Sequence, residues 1–229
     1  ASLLGDSTTG ANTTGVRTLA ANDTYYWRAL ATDQAGNTSA AAGRILVVDT
    51  TIPVAAVLST PAANHETKQV QVVFTWTSAY DTHAGLASHR LQVDTAGTFA
   101  SLVADSNVGT ATVDTLVLPA NDTYYWRVLA TDDVGNTAAT AGRVLVIDTA
   151  PPTVATQTSP AAATETRTTS VLFTWTSGAD ALSGILEHRI QIDTSVAFTI
   201  LSIDTSTGAA VNTTVLLAPN DTYFWRVLT

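Results

Sequence analysis

Two histidines and a scatter of aspartates carry most of the chemistry this chain has to offer. His89 and His188 each precede an arginine and alternate with aliphatic residues, Leu91 and Val93 in one place and Ile190 and Ile192 in the other. An imidazole there is either a ligand or proton carrier, or a histidine packed at the core edge of a strand, and the alternation favours the second. The carboxylates sit mostly in segments dense in turn formers, such as Asp81 to Gly85, Asp94 to Gly97 and Asp132 to Asn136, where Asp bonds its own backbone. No motif brings Ser, His and Asp together as a nucleophilic triad. With Cys 0 there is no thiolate nucleophile, disulfide or thiolate metal site. Asn-x-Ser/Thr occurs at Asn12, Asn22, Asn37, Asn121, Asn212 and Asn220. Asn22, Asn121 and Asn220 recur in the same local setting, either as N-glycosylation sites or simply because Asn-Asp-Thr makes a good turn. Exposed threonines are equally open to O-linked sugar.

The rest of the composition narrows the class. Thr supplies 42 of 229 residues, an excess that favours strands because a β-branched side chain is stiff at its first torsion and packs well on a pleated surface. A net charge of -9 with the single lysine Lys68 leaves no basic stripe for phosphates, so nucleic acid is excluded as a partner. No apolar run reaches the roughly 18 residues of a membrane span. No signal peptide opens the sequence, although a processed or excerpted chain has lost one.

The chain repeats itself with a period of 99 residues. Asn-Asp-Thr-Tyr begins at Asn22, Asn121 and Asn220, Phe-Thr-Trp at Phe74 and Phe173, and His-Arg at His89 and His188. Residues 22–53 and 121–152 are identical at 23 of 32 positions, so one unit has been duplicated. An active site would have to be carried twice, and no constellation recurs that would serve as one, so the chain is read as no enzyme. Within the unit, Val70, Val72, Phe74 and Trp76 share one strand face, as do Tyr124, Trp126, Val128 and Ala130, while Arg127, Thr131 and Gln92 take the outward parity. About seven strands fill one unit, and no segment holds a helical period. A unit of this size matches one immunoglobulin-like sandwich of roughly 100 residues.

These residues resemble the fibronectin type III family, in the tandem form found on prokaryotic surface and secreted proteins, over essentially the whole chain. Phe74-Thr-Trp76 looks like that family's second strand with its core tryptophan. Leu118 and Tyr124, six apart, look like its tyrosine corner, and Leu19 with Tyr25 and Leu217 with Tyr223 keep the spacing. One departure is His89 and His188, where the family often has an aromatic residue. The implied fold class is all-β, a series of tandem Ig-like β-sandwiches. Residues 1–53 are expected to be the C-terminal part of repeat one, 54–152 a complete repeat two, and 153–229 a repeat three lacking its last strand. The partial ends are read as a window on a longer array or as repeats completed by a neighbouring subunit, as in donor-strand assembly.

In that fold the loops after the second and sixth strands lie at the end where the chain enters. The resemblance therefore implies that Asp81 and the group Asp132, Asp133 and Asn136 face the linker carrying Asp49. Such an oxygen-only set suits calcium, and ordinary turn and linker aspartates are the alternative. Only the junction of repeats one and two carries a full set, since Asp148 and Asp180 mark the next one without a matching sixth-strand loop. The functional expectation is an extracellular or cell-surface structural protein, a stalk, adhesin shaft or filament subunit acting as a rod or spacer. Its partners are neighbouring repeats or copies of itself, with glycans where the sequons are used. A fibronectin type III spacer region of a larger secreted polysaccharide-degrading enzyme is the alternative, and a ligand-binding adhesin is a third class.

Overall fold

The computed structural model describes residues 5–10 and 12–229. Among them are nineteen strands and no helix, so the chain is all-β, as its threonine content and period-two patterning require. In chain order the strands are β1 (Asp23–Trp27), β2 (Leu30–Thr32), β3 (Thr38–Ala40) and β4 (Arg44–Val48); then β5 (Leu58–Thr60), β6 (His65–Thr67), β7 (Gln71–Trp76), β8 (Leu86–Asp94), β9 (Leu102–Gly109), β10 (Val113–Val117), β11 (Asp122–Asp132), β12 (Thr137–Ala139) and β13 (Arg143–Ile147). After these come β14 (Thr156–Ser159), β15 (Ser170–Thr176), β16 (His188–Asp193), β17 (Ile203–Gly208), β18 (Asn212–Leu216) and β19 (Phe224–Leu228).

Strands β5 to β13 form one sandwich. One sheet has the order β10-β7-β5 and the other β6-β13-β11-β8-β9, with the short β12 beside β11. All pairings are antiparallel except β13 with β6. Seven of these strands are the ones the turn spacing marks, and β6 and β12 are short additions. Alternation decides what is buried: Val72, Phe74 and Trp76 from β7 meet Leu91, Val93, Tyr124, Trp126, Val128, Leu145 and Ile147 from the facing sheet. Phe74 stands edge-on to Trp126 with ring centroids 5.1 Å apart. Each such buried side chain contributes roughly 1.5–3 kcal/mol relative to exposure. The indole N–H groups of Trp76 and Trp126 are buried without a hydrogen-bond partner, so the packing of the two rings has to offset the desolvation of these groups.

The tyrosine corner is present in all three copies. Tyr25, Tyr124 and Tyr223 donate their hydroxyls to the carbonyls of Ala20, Pro119 and Ala218 at 3.0, 2.8 and 3.3 Å. Strands β14, β15 and β18 form one sheet and β17, β16 and β19 another, enclosing Phe173, Trp175, Ile190 and Ile192. Strands β1 to β4 form two separate two-stranded sheets.

One side-chain expectation needs correcting. Gln92 leaves the sheet on the outward parity, yet it is buried. Arg127 Nε donates to its Oε1 at 2.9 Å, and Phe99 covers the guanidinium with its ring centroid 4.1 Å from Cζ. The segment after β8 folds back over the sheet, and Gly142 makes room for it: a Cβ there would stand 3.2 Å from the Phe99 ring. Arg226, Gln191 and Phe198 repeat the arrangement. The departure at His89 is accommodated too, because its ring packs edge-on to Trp76 at 5.9 Å and is fully buried.

Candidate functional site at the repeat junction

Each linker is fastened at both ends by side-chain oxygens. On the upstream side, Asn22 and Asn121 sit in the left-handed region, with φ of 61° each, in the turn before β1 and β11. Asn adopts this conformation at lower cost than other side chains. Their Oδ1 atoms accept the backbone N–H of Thr50 and Thr149, both at 2.8 Å, 28 residues along the chain. On the downstream side, Asp49 Oδ1 accepts the Thr51 N–H at 2.9 Å and its hydroxyl at 2.6 Å, while Oδ2 accepts the Ala84 N–H at 3.1 Å. Asp148 does the same, with Oδ1 on the Ala150 N–H and Oδ2 on the N–H and hydroxyl of Ser183. Backbone bonds between Val54 and Tyr80 complete the first junction, and one from the Thr153 N–H to Ala179 O the second.

The loops that meet the linkers are aspartate-built. Asp81 Oδ1 accepts the N–H groups of His83 and Ala84 at 2.8 and 2.9 Å, and Asp180 Oδ1 those of Leu182, Ser183 and Gly184. Between β11 and β12, Asp132 Oδ1 accepts from the backbone of Val134, Gly135 and Asn136, and Oδ2 from the Asn136 amide at 2.8 Å. Asp33 makes the same cage with Ala35 and Asn37 at the corresponding loop of the first repeat.

At the first junction these parts converge. Carboxylate oxygens of Asp49, Asp81 and Asp132 lie within 4.8 Å of one another, with Asp132 buried and the other two half-buried. Asn136 joins them through its amide nitrogen, which donates to Asp132 Oδ2 and reaches Asp49 O at 3.4 Å. Asp133 is exposed, with Oδ2 beside Gly85, and stands outside the group of three. The Thr51 hydroxyl holds the Asp49 carboxyl below the usual carboxylate range against the opposing effect of burial. At Asp132 burial pushes the carboxyl up, but the Asn136 side chain and the surrounding backbone N–H groups outweigh it, and the net direction is down. All three groups offer hard oxygen donors from three segments of chain, and Asp81 Oδ2 accepts no hydrogen bond among the described residues. That donor set fits a cation of the calcium type and does not fit a soft metal.

The second junction is closed differently. Ser183 stands where the first has Ala84, and its hydroxyl occupies Asp148 Oδ2 at 2.7 Å. Of the three recurrent sequons, Asn121 and Asn220 are exposed and Asn22 is half-buried. The linker-clamping role of Asn22 and Asn121 is one that sequence spacing did not indicate. Its only trace there was the recurrence of Asn in one turn.

No family model and no curated protein matches the chain. Among solved structures, it is similar to the FN1–FN3 domains of chicken CNTN1, at 13% identity over 84% of this chain and 66% of that one, with a TM-score of 0.47. It is also similar to fibronectin(III)-like modules of Clostridium thermocellum CbhA, at 10% identity over 71% of this chain and 79% of that one, with a TM-score of 0.40.

Proposed function

We propose that the chain works as a structural rod or spacer built of serial β-sandwiches, displayed outside the cell or on its surface, with no catalytic role. The observation that carries this reading is that both linkers are clamped, by Asn on one side and Asp on the other, so adjacent repeats are joined by fixed hydrogen bonds as well as by proline. A module whose chemistry is spent on its joints suits a stalk, adhesin shaft or filament subunit, in which each repeat contacts mainly its neighbours. The acidic surface opposes nonspecific association.

In the same reading, calcium stiffens the first junction. Asp49, Asp81 and Asp132 hold it, and it relieves repulsion among three carboxylates drawn to one point. Glycans on Asn22, Asn121 and Asn220 are compatible with the clamp, because the sugar bonds Nδ2 while the linker uses Oδ1 at Asn22 and Asn121.

Small-angle scattering and melting of the chain in calcium and in chelator test both parts. An elongated particle in either condition supports the rod, and a compact one overturns it. Calcium raises the melting temperature and narrows the distribution of long distances if the junction binds it, and Asp81→Asn removes both responses. Identical curves in the two conditions leave the rod standing on its hydrogen-bonded clamps and overturn the calcium reading.

A further inference from the structure

His89 and His188 occupy the same position in successive repeats, and both are buried, but their ring nitrogens face different chemistry. His89 Nε2 accepts the backbone N–H of Ala79 at 3.0 Å, and Nδ1 faces the carbonyl of Ala111 at 2.9 Å. One donor and one acceptor assign a single neutral tautomer, with the proton on Nδ1. A second proton would set Nε2–H against the Ala79 N–H. His188 Nδ1 faces Gly208 O at 3.3 Å, and its Nε2 faces Ser177 Oγ at 3.0 Å. The Ser177 hydroxyl gives its own proton to Gly178 O at 2.7 Å, so it presents a lone pair to the ring. Two acceptors flank His188, and a proton on each nitrogen is accommodated.

We propose that His89 is an acid-released latch on the first repeat junction, and that His188 is not its equivalent at the second. The latch joins the turn after β7 to the turn before β10. Ala79, the residue it holds, precedes Tyr80, whose backbone pairs with Val54 just past the linker proline, and Asp81, whose carboxylate meets Asp49. Protonating His89 breaks the Ala79 bond and loosens the strap that docks the linker. The latch stands on this geometry and not on the calcium reading.

Both hydrogen-bond partners of the His89 ring are uncharged backbone groups. The charged groups on the elements packed around His89 are Asp81, Arg90, Asp94, Asp105, Asp114, Asp122, Arg127 and Asp132, and none of them forms a hydrogen bond with the ring. Arg90 pairs with Asp105, Arg127 bonds Gln92, Asp94 accepts from Ala96 and Ser101, and Asp122 accepts from Thr123, while Asp114 accepts from Thr115 through Oδ1 and keeps Oδ2 buried without a partner, in no hydrogen bond to the ring. Asp81 and Asp132 are held by their own loops. Burial keeps the His89 pKa below the usual histidine range, against the opposing pull of the Ala111 and Thr110 backbone. The sign follows: the unfolded or opened chain binds the proton first. Stability of the latch is therefore full above the ordinary histidine pKa of about 6.5 and declines as pH falls from there toward the folded value.

The test is carried out on the whole chain with chelator present throughout, by long-range proton–nitrogen NMR of the imidazoles and amide exchange of Ala79 and Tyr80 between pH 7.5 and 5. The proposal expects His89 to keep its neutral signature, with the proton on Nδ1, in the folded protein. Protection of Ala79 and Tyr80, corrected for intrinsic exchange, should drop by up to about tenfold per pH unit below the histidine range. His89→Gln, whose amide supplies one acceptor and one donor, should hold protection flat across the window, and His188→Gln should leave the wild-type slope. An His89 ring that titrates freely with Ala79 still protected overturns the proposal, and so does an unchanged slope in His89→Gln. If the glutamine variant fails to fold, the wild-type ring titration decides alone.

Discussion

Trp27 and Trp126 lie in nearly identical stretches of sequence, yet Trp126 is 0% exposed and Trp27 is 51% exposed. Both are followed by Arg in strands that pair in the same register with β4 or β13. What separates them is the opposite wall. Trp126 is roofed by Phe74 on β7 and flanked by Val93 on β8, whereas among the described residues β1 pairs with β4 alone. The same holds for Leu46 and Leu145, at 43% and 0%. Identical residues thus become core or surface according to the second sheet, and the local sequence decides only which face they occupy.

The contrast is sharpened first by truncation. Trp126→Ala should cost on the order of 3–5 kcal/mol, and Trp76→Ala as much, because each leaves a cavity between the sheets. Trp27→Ala should cost less than about 1 kcal/mol. Denaturant midpoints of the three variants check this, and equal losses for Trp27 and Trp126 would break the contrast. The next effect is at the arginines. Arg143 spans the sandwich edge, donating to the carbonyls of Leu58, Ser59 and Pro61 at 2.6, 2.9 and 3.0 Å. Arg44 holds the corresponding place above Trp27 and makes no such bonds among the described residues. Arg143→Ala should cost about 1–3 kcal/mol and Arg44→Ala about 0.5 or less, read from the same midpoints.

Smaller still is the clamp. Asn121→Ala removes the two bonds to Thr149 and the residue best suited to a positive φ, for about 1 kcal/mol, with faster exchange of the Thr149 amide as its signature. Acid should act on the first junction from below the ordinary carboxylate range. The Asp49 and Asp132 carboxyls are both held low, so their contribution is complete above about pH 4 and is lost as pH falls through their folded values. Melting curves between pH 5 and 2 check this. They separate it from the His89 latch, which acts at higher pH.

Strand parity was legible because a period of two leaves a direct trace, and the inward sets of β7 and β11 follow it residue by residue. The tyrosine corner was legible because its leucine and tyrosine are six apart in every copy. Gln92 was not, since its cover depends on Phe99 taking a positive φ of 54° and on the absence of a side chain at Gly142, which no pattern announces. The clamps of Asn22 and Asn121 were hidden because their partners lie 28 residues away. Of the five junction residues singled out in sequence, three share one point of space. Asn136 enters as a donor and Asp133 turns to solvent, differences set by the geometry of a single loop. His89 and His188 look alike in sequence, and their difference arises at Ser177 and Ala79, neither of which is adjacent.

The account rests on residues 54–152 holding a complete sandwich of their own, with both walls of its core between β5 and β13. The most direct measurement is equilibrium unfolding of an excised 54–152, followed by tryptophan fluorescence and amide exchange together. The account predicts one cooperative transition by both probes, with Trp76 and Trp126 shielded at zero denaturant and their strands protected. A segment that is unfolded in isolation while the whole chain is ordered would contradict it, and would place the closure of the core in contacts from outside this unit.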